Sequence, residues 1–131
     1  LEDAADMRMS GYPGKVKSWA WDRRGRTLFT AGASRVVGWP FSGRNGPMGR
    51  DPLELGPERD AMVHVVAAHP ERDIVAGGTS DGAVWFEWIG DPGANFVVLN
   101  AAKITTLVFS PDGESLAVGT EDGFAAVVPV A

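Results

Sequence analysis

His64 and His69 are the two imidazoles of the chain, and no cysteine accompanies them. Zinc asks for about four converging nitrogen, sulfur or oxygen ligands. One histidine lies in a β-branched stretch and the other opens a turn beside Pro70, so both are expected to be structural. The run Gly77-Gly78-Thr79-Ser80-Asp81-Gly82 has the glycine density of a phosphate cradle. Such cradles open a helix and carry a lysine. Here strand-type residues flank the run and no lysine follows, so it reads as a hairpin. Ser34, Ser80 and Ser110 sit at turn positions without the base and orienting group that activate a nucleophile. Glu121 and Asp122 are adjacent carboxylates on another tight turn, where solvated acids are ordinary. No catalytic, cofactor-binding or metal-ligating residue is expected, and the chain is not expected to be an enzyme.

Charge offers the better lead. Residues 8–50 carry nine basic side chains against the single acid Asp22, whereas residues 51–131 carry three basic and thirteen acidic ones. The net charge of −5 therefore hides a basic first third joined to an acidic remainder. A hydrophobic content of 44% over 131 residues is enough for one domain with a core. Apolar runs are short, such as Ala125 to Val130, so no membrane-spanning segment is expected. Without cysteine there are no disulfides. A cytoplasmic location is expected, in a chain that opens on Leu1 and reads as starting inside a longer polypeptide.

The elements that must position these groups repeat. Val63-His64-Val65 and Ala76 to Gly82 recur 41 positions later as Ile104-Thr105-Thr106 and Ala117 to Gly123, and a third copy begins at Val16. Each copy reads as three strands separated by punctuation: Val16–Trp21, Leu28–Gly32 and Val36–Phe41; Val63–Ala68, Ile74–Gly78 and Val84–Trp88; Ile104–Phe109, Leu116–Thr120 and Phe124–Val130. Asp-Gly at both later hairpins suits the turn whose twist matches its strands. One further strand precedes each triplet: Ala5–Ser10, Pro52–Gly56 and Asn95–Asn100. No helix is expected. Residues 42–52, rich in glycine and proline, form a loop. Trp19 and Trp21 align with Val66/Leu107 and Ala68/Phe109, which assigns them to a core between repeats, as with Trp39. Trp85 and Trp88 lack aromatic counterparts in the third copy, leaving edge packing, the favoured reading, or an interface anchor.

Four antiparallel strands per repeat of about 40–45 residues, with Ser110-Pro111-Asp112-Gly113 and Thr120-Glu121-Asp122-Gly123 as turns, resemble a WD-repeat β-propeller blade. The resemblance implies an all-β chain of three four-stranded blade-equivalents, at about residues 5–51, 52–94 and 95–131, each first strand closing the preceding blade. The match is degenerate. The family's Gly-His pair stands here as Gly11-Tyr12, Gly56-Pro57 and Asn100-Ala101, and its Trp-Asp pair as Trp39-Pro40, Glu87-Trp88 and Val128-Pro129. The family's Asp–His–Ser–Trp hydrogen-bond network is therefore incomplete in every repeat. The chain looks like the C-terminal part of a bacterial WD-repeat protein.

Propellers close with about 4–8 blades. Three repeats imply either a portion of a longer ring, the favoured reading, or copies joined head to tail by strand exchange. The expected function is a protein-interaction scaffold. In a propeller, the turn after the first strand and the loop after the third emerge on one face, which groups Arg23, Arg24 and Arg26 with Arg44 and Arg50 as a rim for a protein partner, an acidic one being the complement of that charge. A solvated face, or attraction to a neighbouring acidic blade, is the plainer reading of the same cluster. Nucleic acid is disfavoured by the overall acidity and by the lack of aromatics among the arginines. Two alternatives remain: a ligand-binding or catalytic propeller with its site in the central channel, disfavoured because the inner strands offer few polar groups (Lys17, Ser18, His64, Thr105 and Thr106), and a self-assembling three-blade building block.

Overall fold

A computed structural model describes residues 12–43, 45–58, 60–98 and 102–130. Eleven strands make three antiparallel sheets, with no helix among the described residues. The first sheet is β1 (Trp19–Trp21), β2 (Thr27–Thr30), β3 (Val36–Pro40) and β4 (Leu53–Leu55). The second is β5 (Val63–Ala68), β6 (Ile74–Thr79), β7 (Ala83–Trp88) and β8 (Asp91–Val98). The third holds β9 (Ile104–Phe109), β10 (Ser115–Thr120) and β11 (Ala125–Pro129). Each sheet runs in chain order, and the strands contributed by the second and third repeats' leading segments, β4 and β8, close the preceding sheets as the fourth strand. The expected strand Ala5–Ser10 lies outside the described residues. β8 begins at Asp91, ahead of the expected Asn95, because the chain turns back through Gly90 (φ +86°) directly onto β7.

Both hairpins with Asp-Gly close in the same way. Thr79 and Thr120 accept the amides of Ala83 and Phe124 at 3.0 and 3.1 Å and donate their hydroxyls to Asp81 and Asp122. Gly82 and Gly123 take positive φ at these turns, 88° and 87°, where a side chain would be strained.

Two apolar cores separate the three sheets. Between the first and second, Phe29, Ala31, Val36 and Leu55 pack against Val66, Val75 and Trp85. Between the second and third, Val65, Ala67, Ala76, Val84 and Phe86 pack against Leu107, Phe109, Leu116, Val118 and Val128. Strand alternation sends neighbouring residues to opposite faces. The middle sheet thus feeds both cores, and every residue of β6 is buried.

The expectation that Trp19 and Trp21 are core is corrected. They are 68% and 51% exposed. Alternation turns Ala20 toward the second sheet and both indoles to the opposite face, against which no described sheet packs. Trp85, one of the two candidate interface anchors, is 1% exposed and seated over two glycines. A Cβ built on Gly77 or Gly56 would meet its ring at 2.5 or 2.3 Å. Trp88 is exposed, at 42%.

Because Trp85 fills the centre of the first core, Trp85→Ala is expected to cost about 3–5 kcal/mol. Urea unfolding followed by far-UV circular dichroism would show this as a large drop in the transition midpoint.

Candidate interaction rim

The turns joining the first two strands of each sheet are built on one repeat position, occupied by Asp22, His69 and Ser110. Each side chain folds its own turn by accepting backbone amides, the local bonding that suits such residues to turns. Asp22 accepts from Arg26 at 2.7 Å and Thr27 at 3.2 Å. His69 Nδ1 accepts from Glu71 at 3.0 Å and Arg72 at 2.9 Å. Ser110 Oγ accepts from Ser115 at 3.1 Å and donates to Asp112 at 2.6 Å. The Ser110 hydroxyl and the Glu114 amide hold the Asp112 carboxyl below its ordinary value.

These turns also join sheet to sheet. With Nδ1 accepting, His69 carries its proton on Nε2 and donates it to the carbonyl of Gly113 at 2.9 Å. The ring is 1% exposed and lies 5.1 Å from the Phe109 ring. Gly113 has φ +74°, and a Cβ there would come within 2.2 Å of the imidazole, so the close approach requires glycine. The first and second turns are joined differently, by an Arg23 Nε to Asp73 Oδ1 ion pair of 3.0 Å.

Of the five arginines expected on the rim, the structure brings Arg24 and Arg26 together. They line a hollow of ≈ 280 Å³ with Pro40, Ser42, Asp73 and Ile89. Arg23 reaches the neighbouring sheet instead. Arg50 braces its own loop, donating to the Ser42 carbonyl at 2.5 Å, the Ser42 hydroxyl at 3.3 Å and the Gly46 carbonyl at 3.4 Å. Arg44 lies outside the described residues.

A second set of contacts replaces the incomplete family network. In the first sheet the Trp39 indole donates to the Tyr12 hydroxyl, which shares a 2.5 Å hydrogen bond with Thr30. Tyr12 stands where the resemblance puts histidine. The strand register sets Glu87 of the second sheet where Trp39 stands in the first. Its buried carboxylate accepts the amides of Gly56 at 2.8 Å and Gly93 at 3.1 Å, tying the two outer strands together beside a hollow of ≈ 420 Å³. The third sheet puts the apolar Val128 there. Sequence reasoning missed Glu87 and His69 as junction residues. The signal for Glu87 was a lone charge inside the apolar stretch Ala83–Trp88.

On the inner strands, burial lowers the His64 pKa from 6.5, with the nearby Lys103 and Lys17 ammoniums adding to the effect and Glu121 opposing it. Ser18, expected in the same channel-facing set, accepts the amide of Val66 at 3.0 Å and so serves the sheet junction. Among the described residues no cluster of three or more His, Cys, Asp or Glu could hold a metal ion. No helix among them is long and apolar enough to cross a membrane.

Three expectations follow from this geometry. Removing the buried clasp with His69→Ala strands two amides and a carbonyl and should cost about 2–4 kcal/mol. Arg23→Ala breaks a half-exposed pair and should cost less than about 1 kcal/mol, shrinking further in salt. Denaturant titrations of the two variants check both. The unfolded chain protonates His64 before the folded one does, so stability should fall as pH drops through 6.5, and His64→Asn should flatten that slope in melts at stepped pH.

No curated protein matches the chain. Residues 96–127 match the model of the family described as WD domain, G-beta repeat. The matched span runs from Phe96 in β8 to Val127 in β11, one outer strand followed by an inner triplet, which is the stagger already visible in the sheets. That span is similar to a WD repeat, and it is stacked behind two antiparallel sheets with the same strand order.

Proposed function

We propose that this chain is a protein-interaction scaffold whose contact surface is the arginine rim. WD repeats in general mediate protein–protein contacts and act as non-catalytic frameworks. The observation that carries the rim reading is the hollow between the first two turns, with Arg24 and Arg26 exposed at its edge. Guanidinium groups meet carboxylates through paired hydrogen bonds, and Arg is the side chain suited to that geometry. The sheets supply rigidity: turns pinned by Asp22 and His69 and linked by Arg23–Asp73 and His69–Gly113 hold their positions while a partner reads them.

The partner this surface fits is an acidic protein segment. Arg23 pairs with Asp73 and Arg50 bonds to Ser42 and Gly46, which leaves Arg24 and Arg26 as the contact arginines of this reading. Nucleic acid is the weaker match, since the chain as a whole carries −5 and repels a phosphate backbone.

Binding to immobilised poly-glutamate tests this reading. Arg24→Glu with Arg26→Glu should weaken capture at low salt by about tenfold or more, equivalent to about 1.4 kcal/mol. High salt should erase the difference. Equal capture by the two proteins at low salt would contradict the rim assignment.

A further inference from the structure

Trp88, for which the sequence leaves edge packing or an interface anchor, opens onto a groove that the arginine rim does not use. The groove lies between the first and second sheets, so described chain walls it on both sides. It has two hollows that share Glu87 as a wall. The smaller, of ≈ 250 Å³, is lined on one side by Leu53, Glu54 and Leu55 of β4 and on the other by Trp88, Ile89 and Asp91. The larger, of ≈ 420 Å³, lies among Pro57, Glu58, Ala94 and Phe96. Leu53, Trp88 and Phe96 are 44%, 42% and 38% exposed, which puts three large apolar side chains along one groove.

Charge is placed in this groove as well. Among its described lining residues, Glu54, Glu58, Glu87 and Asp91 are acidic and Arg35 alone is basic. Arg35 is already engaged, by the Glu54 carboxylate at 3.7 Å and by the carbonyls of Glu54 and Gly56 at 3.2 and 3.1 Å. Glu58 and Asp91 are exposed, and no ion pair joins either to another described residue. Each oxygen of Glu87 accepts one backbone amide, at 2.8 and 3.1 Å, and a carboxylate has room for about four such bonds. The group is thus held in place with acceptor capacity left over. Among the described residues no three acids are grouped to hold a metal ion, so the charge is spread out as an elongated ligand requires.

We propose that this outer groove docks a basic protein segment, with a lysine or arginine in the larger hollow between Glu58 and Glu87 and an apolar side chain on Leu53 and Trp88 in the smaller one. Charge complementarity selects that occupant, and it also orients the contact. A lysine stem lies along Ala94 and Phe96 while its ammonium reaches the carboxylates, the way such side chains cover apolar surface. Trp88 supplies a large, rigid contact area at low entropic cost, which is why tryptophan is favoured as an anchor. The groove shares no arginine with the rim and is opposite to it in charge, so it takes a partner that the rim repels.

Fluorescence anisotropy of a short labelled peptide of repeating lysine, leucine and serine tests this. The peptide should bind the intact chain, and counterparts with glutamate for lysine, or serine for leucine, should bind about tenfold more weakly or worse. Glu58→Lys and Trp88→Ser, both at exposed positions, should each lower the affinity by about tenfold with far-UV circular dichroism unchanged. Trp88→Ser should capture poly-glutamate as the wild type does, which separates this groove from the rim. No binding of the lysine–leucine peptide at about 100 µM, where even a weak micromolar complex is populated, would overturn the proposal. So would equal binding of either counterpart peptide, or full affinity in both variants. A change of solution mass on introducing the two substitutions, read by light scattering, would make a second copy the occupant and would overturn it too.

Discussion

Each sheet in this chain is apolar on two faces, and neither face can be left in water without cost. That constraint organises the molecule. β6 is buried along its whole length because its alternate residues enter different cores, one toward the first sheet and one toward the third. A single sheet of this composition has nothing to hide behind, so stability is a property of the stack, as expected where repeats contact only their neighbours. The glycines follow from the same constraint. Gly56 and Gly77 leave room for Trp85, and Gly78 leaves room for Ile104, so that sheets approach closely enough to exclude water.

Polar contacts decorate this packing and vary from repeat to repeat. One register position holds Trp39, Glu87 and Val128 in the three sheets, and each solves a different problem. Trp39 finds a hydroxyl partner in Tyr12, Glu87 gathers two backbone amides, and Val128 joins the apolar core. The junction turns differ too: an ion pair links the first and second, and a buried imidazole links the second and third. A fold whose free energy rests on burial tolerates this drift, because the net worth of each hydrogen bond is only about 0.5–1.5 kcal/mol.

Most of the architecture was legible in the residues. β5 and β9 fall on the expected Val63–Ala68 and Ile104–Phe109, since β-branched runs bounded by turn residues fix both ends. β1 shrank to Trp19–Trp21 from the expected Val16–Trp21, because pairing with β2 extends only from Trp19 to Trp21. The fate of the tryptophans was not legible. Trp19, Trp21 and Trp85 have the same hydrophobicity, and only the number of sheets on each side decides which is covered. Nor could local pattern reveal that His69 would span to Gly113, 44 residues away, or that Arg50 would turn into its own loop and leave Arg24 and Arg26 on the rim.

The central claim is that stability resides in faces shared between sheets, so that protection from solvent should rank by how many neighbours a sheet has. Amide hydrogen exchange of the dilute protein, read strand by strand, tests this most directly. The account predicts the slowest exchange in β5, β6 and β7, which have a sheet on either side, and faster exchange in β1 and β11 at the ends of the stack. Uniform protection across all three sheets under dilute conditions, or slowest exchange in β1, would contradict it.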